Sequence, residues 1–106
     1  MKFSLAEQFP ELAAELARLL DAQGEIALAQ RVSSLNVVDR CRCGDDFCAT
    51  MYALPHPKGP WGKGHRTIAL HPEEGFLIVD VLHDDIAEIE VLFRDSVRDR
   101  LVQLMP

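Results

Sequence analysis

Three cysteines fall within eight residues, in the run Cys41-Arg42-Cys43-Gly44-Asp45-Asp46-Phe47-Cys48. Gly44-Asp45-Asp46 is a turn signal. If Gly44 to Phe47 form a four-residue loop, Cys43 stands opposite Cys48, and Cys41 lies two residues back on the same face. Opposed β-carbons are about 4.5–5.5 Å apart and diagonal ones about 7–8 Å, so three thiols can converge with little backbone movement. Soft thiolates select zinc or similar ions, and structural zinc wants four ligands in a tetrahedron. His56 or His65 would supply the fourth, with Asp45 or Asp46 as weaker donors. The spacing C-x-C-x4-C is not the paired C-x-x-C of zinc knuckles. Two other uses stay open. The thiols could pack as small hydrophobes inside a strand pair. Alternatively, Cys41 or Cys43 could work as a redox thiolate, its pKa lowered by Arg40 or Arg42.

A second chemical feature is the stretch from Pro55 to Arg66, in which six of twelve residues are Gly or Pro. Such a run cannot be a helix or a central strand, so it reads as a long surface loop over 55–66. The loop is basic within an acidic chain, through Lys58, Lys63 and Arg66, with His56, His65 and Trp61 among them. Lys58, Trp61, Lys63, His65 and Arg66 together could grip an anion or an acidic partner surface. The alternative is that Trp61 folds back over the sheet and the lysines only keep the loop wet. Its Gly-Lys-Gly step is not a phosphate-binding loop, because no Ser or Thr follows the lysine. Glu88 and Glu90 stand two apart on what reads as an exposed strand face, where paired carboxylates do no acid–base work.

The elements that must position these residues follow from periodicity. Phe9, Leu12, Leu16, Leu19 and Leu20 recur at spacings of three and four, which predicts an apolar helical stripe. Pro10 suits a first helical turn, Ser4 with Glu7 suits a capping box before it, and Gly24 suits a helix stop. A second helix should carry Ile26, Ala29, Val32 and Leu35, making 10–35 a helical hairpin. From Asn36 the period becomes two. Strands are predicted over 37–42, 47–54, 66–71, 76–82 and 86–93, with Ala87, Ile89, Val91 and Phe93 on one side of the last and Glu88 and Glu90 on the other. Asp95 or Ser96 then caps a helix over 95–104. The expected fold is a single α+β domain over 1–106: N-terminal helical hairpin, antiparallel β-meander of about five strands over 36–93, and C-terminal helix.

Composition sets the outer bounds. The chain has 106 residues, 48% of them hydrophobic and 26% charged, which is ordinary globular composition. With 11 basic against 17 acidic residues its formal charge is −6, which argues against broad binding to nucleic acid or an anionic membrane. No apolar run reaches the roughly 18 residues of a membrane span, and no secretory signal is read at the N-terminus. A cytoplasmic location with reduced thiols is therefore expected, and an odd cysteine count fits poorly with a disulfide framework.

The tract Phe76-Leu77-Ile78-Val79-Asp80-Val81, followed by Ile86-Ala87-Glu88-Ile89-Glu90-Val91-Leu92, resembles a family of small bacterial β-meander domains of unknown function. The resemblance covers about residues 48–93 and rests on an I-x-x-I-E-[IV]-L strand. It implies a small antiparallel meander and no catalytic residues. This chain departs from the pattern in having Glu88 where that family has glycine, and in adding the cysteine hairpin, the Gly/Pro loop and two N-terminal helices. Three functional expectations result. The first is a non-enzymatic binding or interaction module for an unknown protein or small anionic ligand. The second is a zinc-binding domain using Cys41, Cys43, Cys48 and His56. The third is a thiol redox protein.

Overall fold

A computed structural model describes residues 2–106. The chain starts with a short strand β1 (Phe3–Ser4) and a one-turn helix α1 (Leu5–Gln8). Ser4 caps α1, its hydroxyl accepting the Glu7 backbone N–H at 3.3 Å. Helix α2 (Pro10–Ala22) opens on Pro10, whose missing N–H costs nothing in a first turn. It stops before Gly24, which takes the left-handed conformation at φ 82°. Helix α3 (Ile26–Arg31) runs into a 3₁₀ turn over Val32–Ser34. The inward positions of this second helix are Leu28 and Val32, one turn apart, whereas Ile26 is 55% exposed. Of the expected face, Val32 is buried and Ala29 and Leu35 pack half-buried against the core; only Ile26 turns outward, and Leu28 joins the inward stripe at the 28/32 spacing.

Strand β2 (Asn36–Val37) pairs with β1 in a two-stranded ribbon that the sequence pattern did not suggest. The main sheet has five antiparallel strands: β3 (Asp39–Arg40), β4 (Met51–Tyr52), β5 (His65–Ala69), β6 (Phe76–Leu82) and β7 (Asp85–Leu92). Their spatial order is β3-β4-β7-β6-β5, so the sheet is not a simple meander. β3 with β4, β5 with β6 and β6 with β7 are neighbours in sequence order, whereas β4 beside β7 is not. Strand β4 joins the free edge of β7, and the Gly/Pro loop then spans β7 and β6 to reach the far edge. Helix α4 (Asp95–Leu104) follows β7. The α+β class, the N-terminal helical pair and the C-terminal helix are as expected.

Alternation separates the two faces of the sheet. Met51, Ile68, Leu77, Val79, Val81, Ile89 and Val91 are buried in one cluster with Leu12, Leu16, Leu20 and Leu101 from the helices. A bulge between Asp80 and Val81 opposes Val81 to Ile86 and leaves Ala87 as the extra residue, which explains why Ile86 and Ala87 are both buried. Phe93 departs from the expected inward row: it lies past β7 at φ 62° and is 51% exposed. Its ring stacks on Phe47 at 5.0 Å between centroids and tilts against Phe76 at 5.8 Å. Arg94 fixes the next step of the chain through two bonds to the Glu15 carboxylate, at 2.9 and 2.8 Å, tying the start of α4 to α2.

The β5–β6 connection gives a direct test. Gly75 has φ 69°, and a methyl group there would stand 2.4 Å from the Leu92 carbonyl oxygen, a backbone atom with no freedom to retreat. Gly75→Ala is expected to cost about 1–3 kcal/mol. Gly59 has open space around its Cβ position, so Gly59→Ala is expected to be neutral or to stabilise by about 0.4–1 kcal/mol. Thermal or urea unfolding of the two variants measures the contrast, and equal effects would contradict the assigned backbone.

Candidate metal centre

The cysteine hairpin is positioned by the pairing of β3 with β4. Asp39 opposes Tyr52 and Arg40 opposes Met51, and the Cys41 N–H continues the ladder to the Thr50 carbonyl at 3.0 Å. The same register carried onward sets Cys43 across from Cys48. A turn over 45–48, closed by the Cys48 N–H on the Asp45 carbonyl at 3.3 Å, returns the chain. The regular strands are shorter than the 37–42 and 47–54 runs expected, because past Arg40 the first arm keeps few ladder bonds. The second arm is instead held by β7: Cys48 bridges Leu92, and the Ala49 and Ala53 N–H groups donate to Val91 and Ala87 at 2.8 Å.

The outcome is that the sulfurs of Cys41, Cys43 and Cys48 all lie within 4.8 Å of one another. All three are free thiols. A tetrahedral zinc with Zn–S bonds of about 2.3 Å needs S···S separations of about 3.8 Å, so closing on an ion takes an inward shift of about 1 Å or less. Backbone donors are already aimed at two of the sulfurs. The Asp45 N–H donates to Cys43 and the Thr50 N–H to Cys48, each from two residues downstream. The Thr50 hydroxyl lies 3.4 Å from the Cys48 sulfur.

Charge separates the three thiols. At Cys48, burial resists ionisation but is outweighed by the Thr50 hydroxyl and N–H and by the neighbouring thiols, and the pKa is lowered. At Cys43 the Asp45 N–H favours the thiolate, yet burial and the adjacent Cys41 and Cys48 push the pKa up to about 11. One thiolate thus forms readily and then repels the next, which is the behaviour of like charges crowded together without a cation between them. The favoured thiolate is Cys48 rather than Cys43. Arg40 and Arg42, expected to activate a sulfur, are engaged elsewhere. Arg40 donates to the Met105 and Cys41 carbonyls, while Arg42 donates to Asp39 at 2.6 Å and to the Pro106 carbonyl at 3.3 Å.

Neither histidine is brought to the sulfurs. The His56 ring packs between Tyr52 and Trp61, at 4.6 and 5.0 Å, with Nε2 3.8 Å from Glu88. His65 lies 2.8 Å from Asp80. The basic loop is dispersed in the same way. Trp61 turns inward and its indole N–H donates to Glu88 at 3.0 Å. Arg66 forms a two-pronged pair with Glu25 at 2.9 Å. Lys58 and Lys63 remain exposed.

Under that loop lies a cluster the sequence reading set aside. Carboxylate oxygens of Asp80, Glu88 and Glu90 lie within 4.8 Å of one another, and Asp80 is buried. Glu88 and Glu90 are half-buried, so the exposed face expected for them is covered. Asp80 accepts from Thr67 at 3.0 Å and contacts His65. Glu90 holds a proton against Asp80: their mutual hydrogen bond, then burial, then the charges of Asp80 and Glu88 push its pKa up to about 8. Asp80 is correspondingly lowered, the bonds from Glu90, His65 and Thr67 outweighing burial. Glu88 is raised, chiefly by burial. The visible signal was Asp80 itself, one charge inside the apolar run Phe76–Leu82. Met51 faces Ile89 and Cys48 bridges Leu92, so Thr50 stands beside Glu90. Thiols and carboxylates therefore share one sheet face, with Thr50 between them.

The raised Glu90 predicts a pH effect. Folded Glu90 keeps its proton up to about 8, while the unfolded chain releases it near 4.5. The folded state binds more protons across that window, so stability falls as pH rises from about 5 to about 8, and Glu88 adds in the same sense. Asp80 acts oppositely and only in acid, where stability is lost as pH falls through its lowered value. The expected result is a Tm that declines between pH 5 and 8 in the native chain and is flattened by Glu90→Gln. A flat or rising native profile would contradict the shared proton.

Comparison with protein-family models, with curated proteins and with solved structures finds no match to this chain.

Proposed function

We propose that the protein is a small metal-binding module that holds a soft divalent cation, zinc foremost, on Cys41, Cys43 and Cys48. The observation that supports this reading is the convergence of three sulfurs within 4.8 Å from the two arms of one hairpin. Packing alone does not ask for that arrangement, since Cys43 is exposed and Cys41 and Cys48 only half-buried, so the three thiols fill no part of the core. Backbone N–H donors two residues downstream of Cys43 and Cys48 stabilise thiolate over thiol. A cation removes the repulsion that keeps Cys43 protonated. Thiolate ligands favour zinc over magnesium or calcium, which prefer oxygen. In this reading the ion braces the hairpin from Cys41 to Cys48 against β7.

A role in docking a partner protein is a second reading, favoured by the exposed phenyl cluster of Phe47, Phe76 and Phe93. Phe47 lies in the turn between Cys43 and Cys48, so an ion that orders this turn also orders one third of the cluster. A photo-crosslinker at position 76 would join a partner that one at Glu11, on α2, does not; equal yields would remove this reading.

For the metal, reconstitution of reduced protein with zinc is expected to give about one ion per chain by elemental analysis. Zinc at a hundred times its Kd would then stabilise the fold by about 2.7 kcal/mol. Cys43→Ser should lower affinity at least about tenfold, since losing even a residue that only orients a ligand costs about 10–100-fold. Well under one zinc per chain after loading would sink the proposal.

A further inference from the structure

We infer that the ion's fourth ligand comes from solution, and that it is a small thiol carrying a second, anionic group held by Arg98. The inference rests on the reading of Cys41, Cys43 and Cys48 as metal ligands. Its first support is the donor set. Among the described residues no fourth Cys, His, Asp or Glu side chain joins the three sulfurs within 4.8 Å. A tetrahedral ion with three protein ligands keeps one position for an exogenous group.

The second support is the space in front of the sulfurs. All three cysteines line a cleft of about 350 Å³ that is shared with Arg98 and Val102 of α4. That volume lies in the range of small-molecule sites. The wall opposite the hairpin belongs to a separate element, so the cleft is a meeting of α4 with the sheet edge and not a dent in the hairpin itself.

Charge is the third support and selects the ligand. A divalent ion with three thiolates carries a net −1, and an anionic fourth ligand deepens that charge, so the surroundings must be cationic for it to stay. Arg40, Arg42 and Arg98 all border the cleft, against the one acidic side chain of Asp45. Arg40 and Arg42 are spent on carbonyls and on Asp39. Arg98 lies near Asp46, Asp95 and Asp99 on its other side but makes no side-chain hydrogen bond or ion pair among the described residues, so its guanidinium can take a carboxylate through two parallel bonds. An ion already bound to three sulfurs favours a fourth sulfur over oxygen. Binding is a ligand exchange with no redox step. The metal–sulfur bond forms, the S–H proton passes to buffer, and the water completing the tetrahedron leaves.

The test uses Co²⁺-loaded full-length protein, kept reduced with a phosphine so that no other thiol is present. It is titrated with 3-mercaptopropionate and, separately, with the neutral 2-mercaptoethanol. Sulfur-to-cobalt absorption should intensify as the fourth thiolate binds, and the anionic thiol should bind about tenfold more tightly, as one charge-assisted contact implies. Arg98→Ala should bring the two affinities to parity, while Arg98→Lys keeps part of the difference. A cobalt spectrum that neither thiol moves would show the position already filled and would overturn the inference alone. Equal affinities in the native chain, or discrimination that survives Arg98→Ala, would do the same. Absence of any sulfur-to-cobalt band would instead overturn the metal reading, and this inference with it.

Discussion

The pairing of β4 with the edge of β7 is the constraint from which the arrangement of this molecule follows. It takes the second arm of the cysteine hairpin out of sequence order and lays it along the longest strand of the sheet. Backbone bonds from Ala49 to Val91 and from Ala53 to Ala87 hold that arm. They set which side chains face away from the core: Cys48, Thr50 and Tyr52 join Leu92, Glu90 and Glu88 on one surface. A slip of one residue would exchange the sulfurs for Ala49 and Met51 and drive the thiols into the helix-facing core. The same pairing forces the next segment to span two strands before β5 begins. The Gly/Pro loop is thus a crossing made necessary by topology, and Trp61 and His56 roof the carboxylates as it passes.

Local patterns made much of this legible. The leucine stripe of α2, the Ser4 cap, the stop at Gly24 and the two long strands follow from period and from terminal chemistry alone. So did the sulfur register, because a four-residue loop between Cys43 and Cys48 allows only one alignment of the arms. What stayed hidden was long-range. No local rule says that β4 chooses β7 over β5, since either partner satisfies an alternating strand. Without that choice, the neighbours of Glu88 and Glu90 could not be named, and the face they occupy reads as open to water. Charge in the loop misled for a related reason. Arg66 and His65 look available in a linear string, but each finds a carboxylate brought by a distant element, Glu25 and Asp80 respectively. Arg98 shows the converse, an ordinary helix-surface cation until α4 is packed beside the hairpin.

Negative charge is concentrated on the roofed face, and its management is uneven. Hydrogen bonds and a shared proton neutralise the carboxylate end, where Asp80 is surrounded by Glu90, Thr67 and His65. At the sulfur end the Thr50 hydroxyl and N–H support a first thiolate at Cys48, whereas at Cys43 the Asp45 N–H is outweighed by burial and the neighbouring thiols. Thr50 is 95% shielded from solvent, so it insulates one group from the other while touching Cys48. This asymmetry is why the two clusters, so near in space, point to different chemistry. The carboxylates are already compensated from within, and the sulfurs call for a cation from outside.

The out-of-order strand also shapes how the chain reaches this state. Strands β5, β6 and β7 are joined by brief turns and can zip together through contacts close in sequence. Met51 and Ile89 meet only after an intervening stretch of some three dozen residues has been closed, which carries a larger entropic penalty and delays the event. The pairing of β4 with β7 therefore carries more loop-closure entropy than the two hairpins beside it. Anything that clamps the cysteine arms against β7 acts on that long-range closure, and so on how long the fold persists.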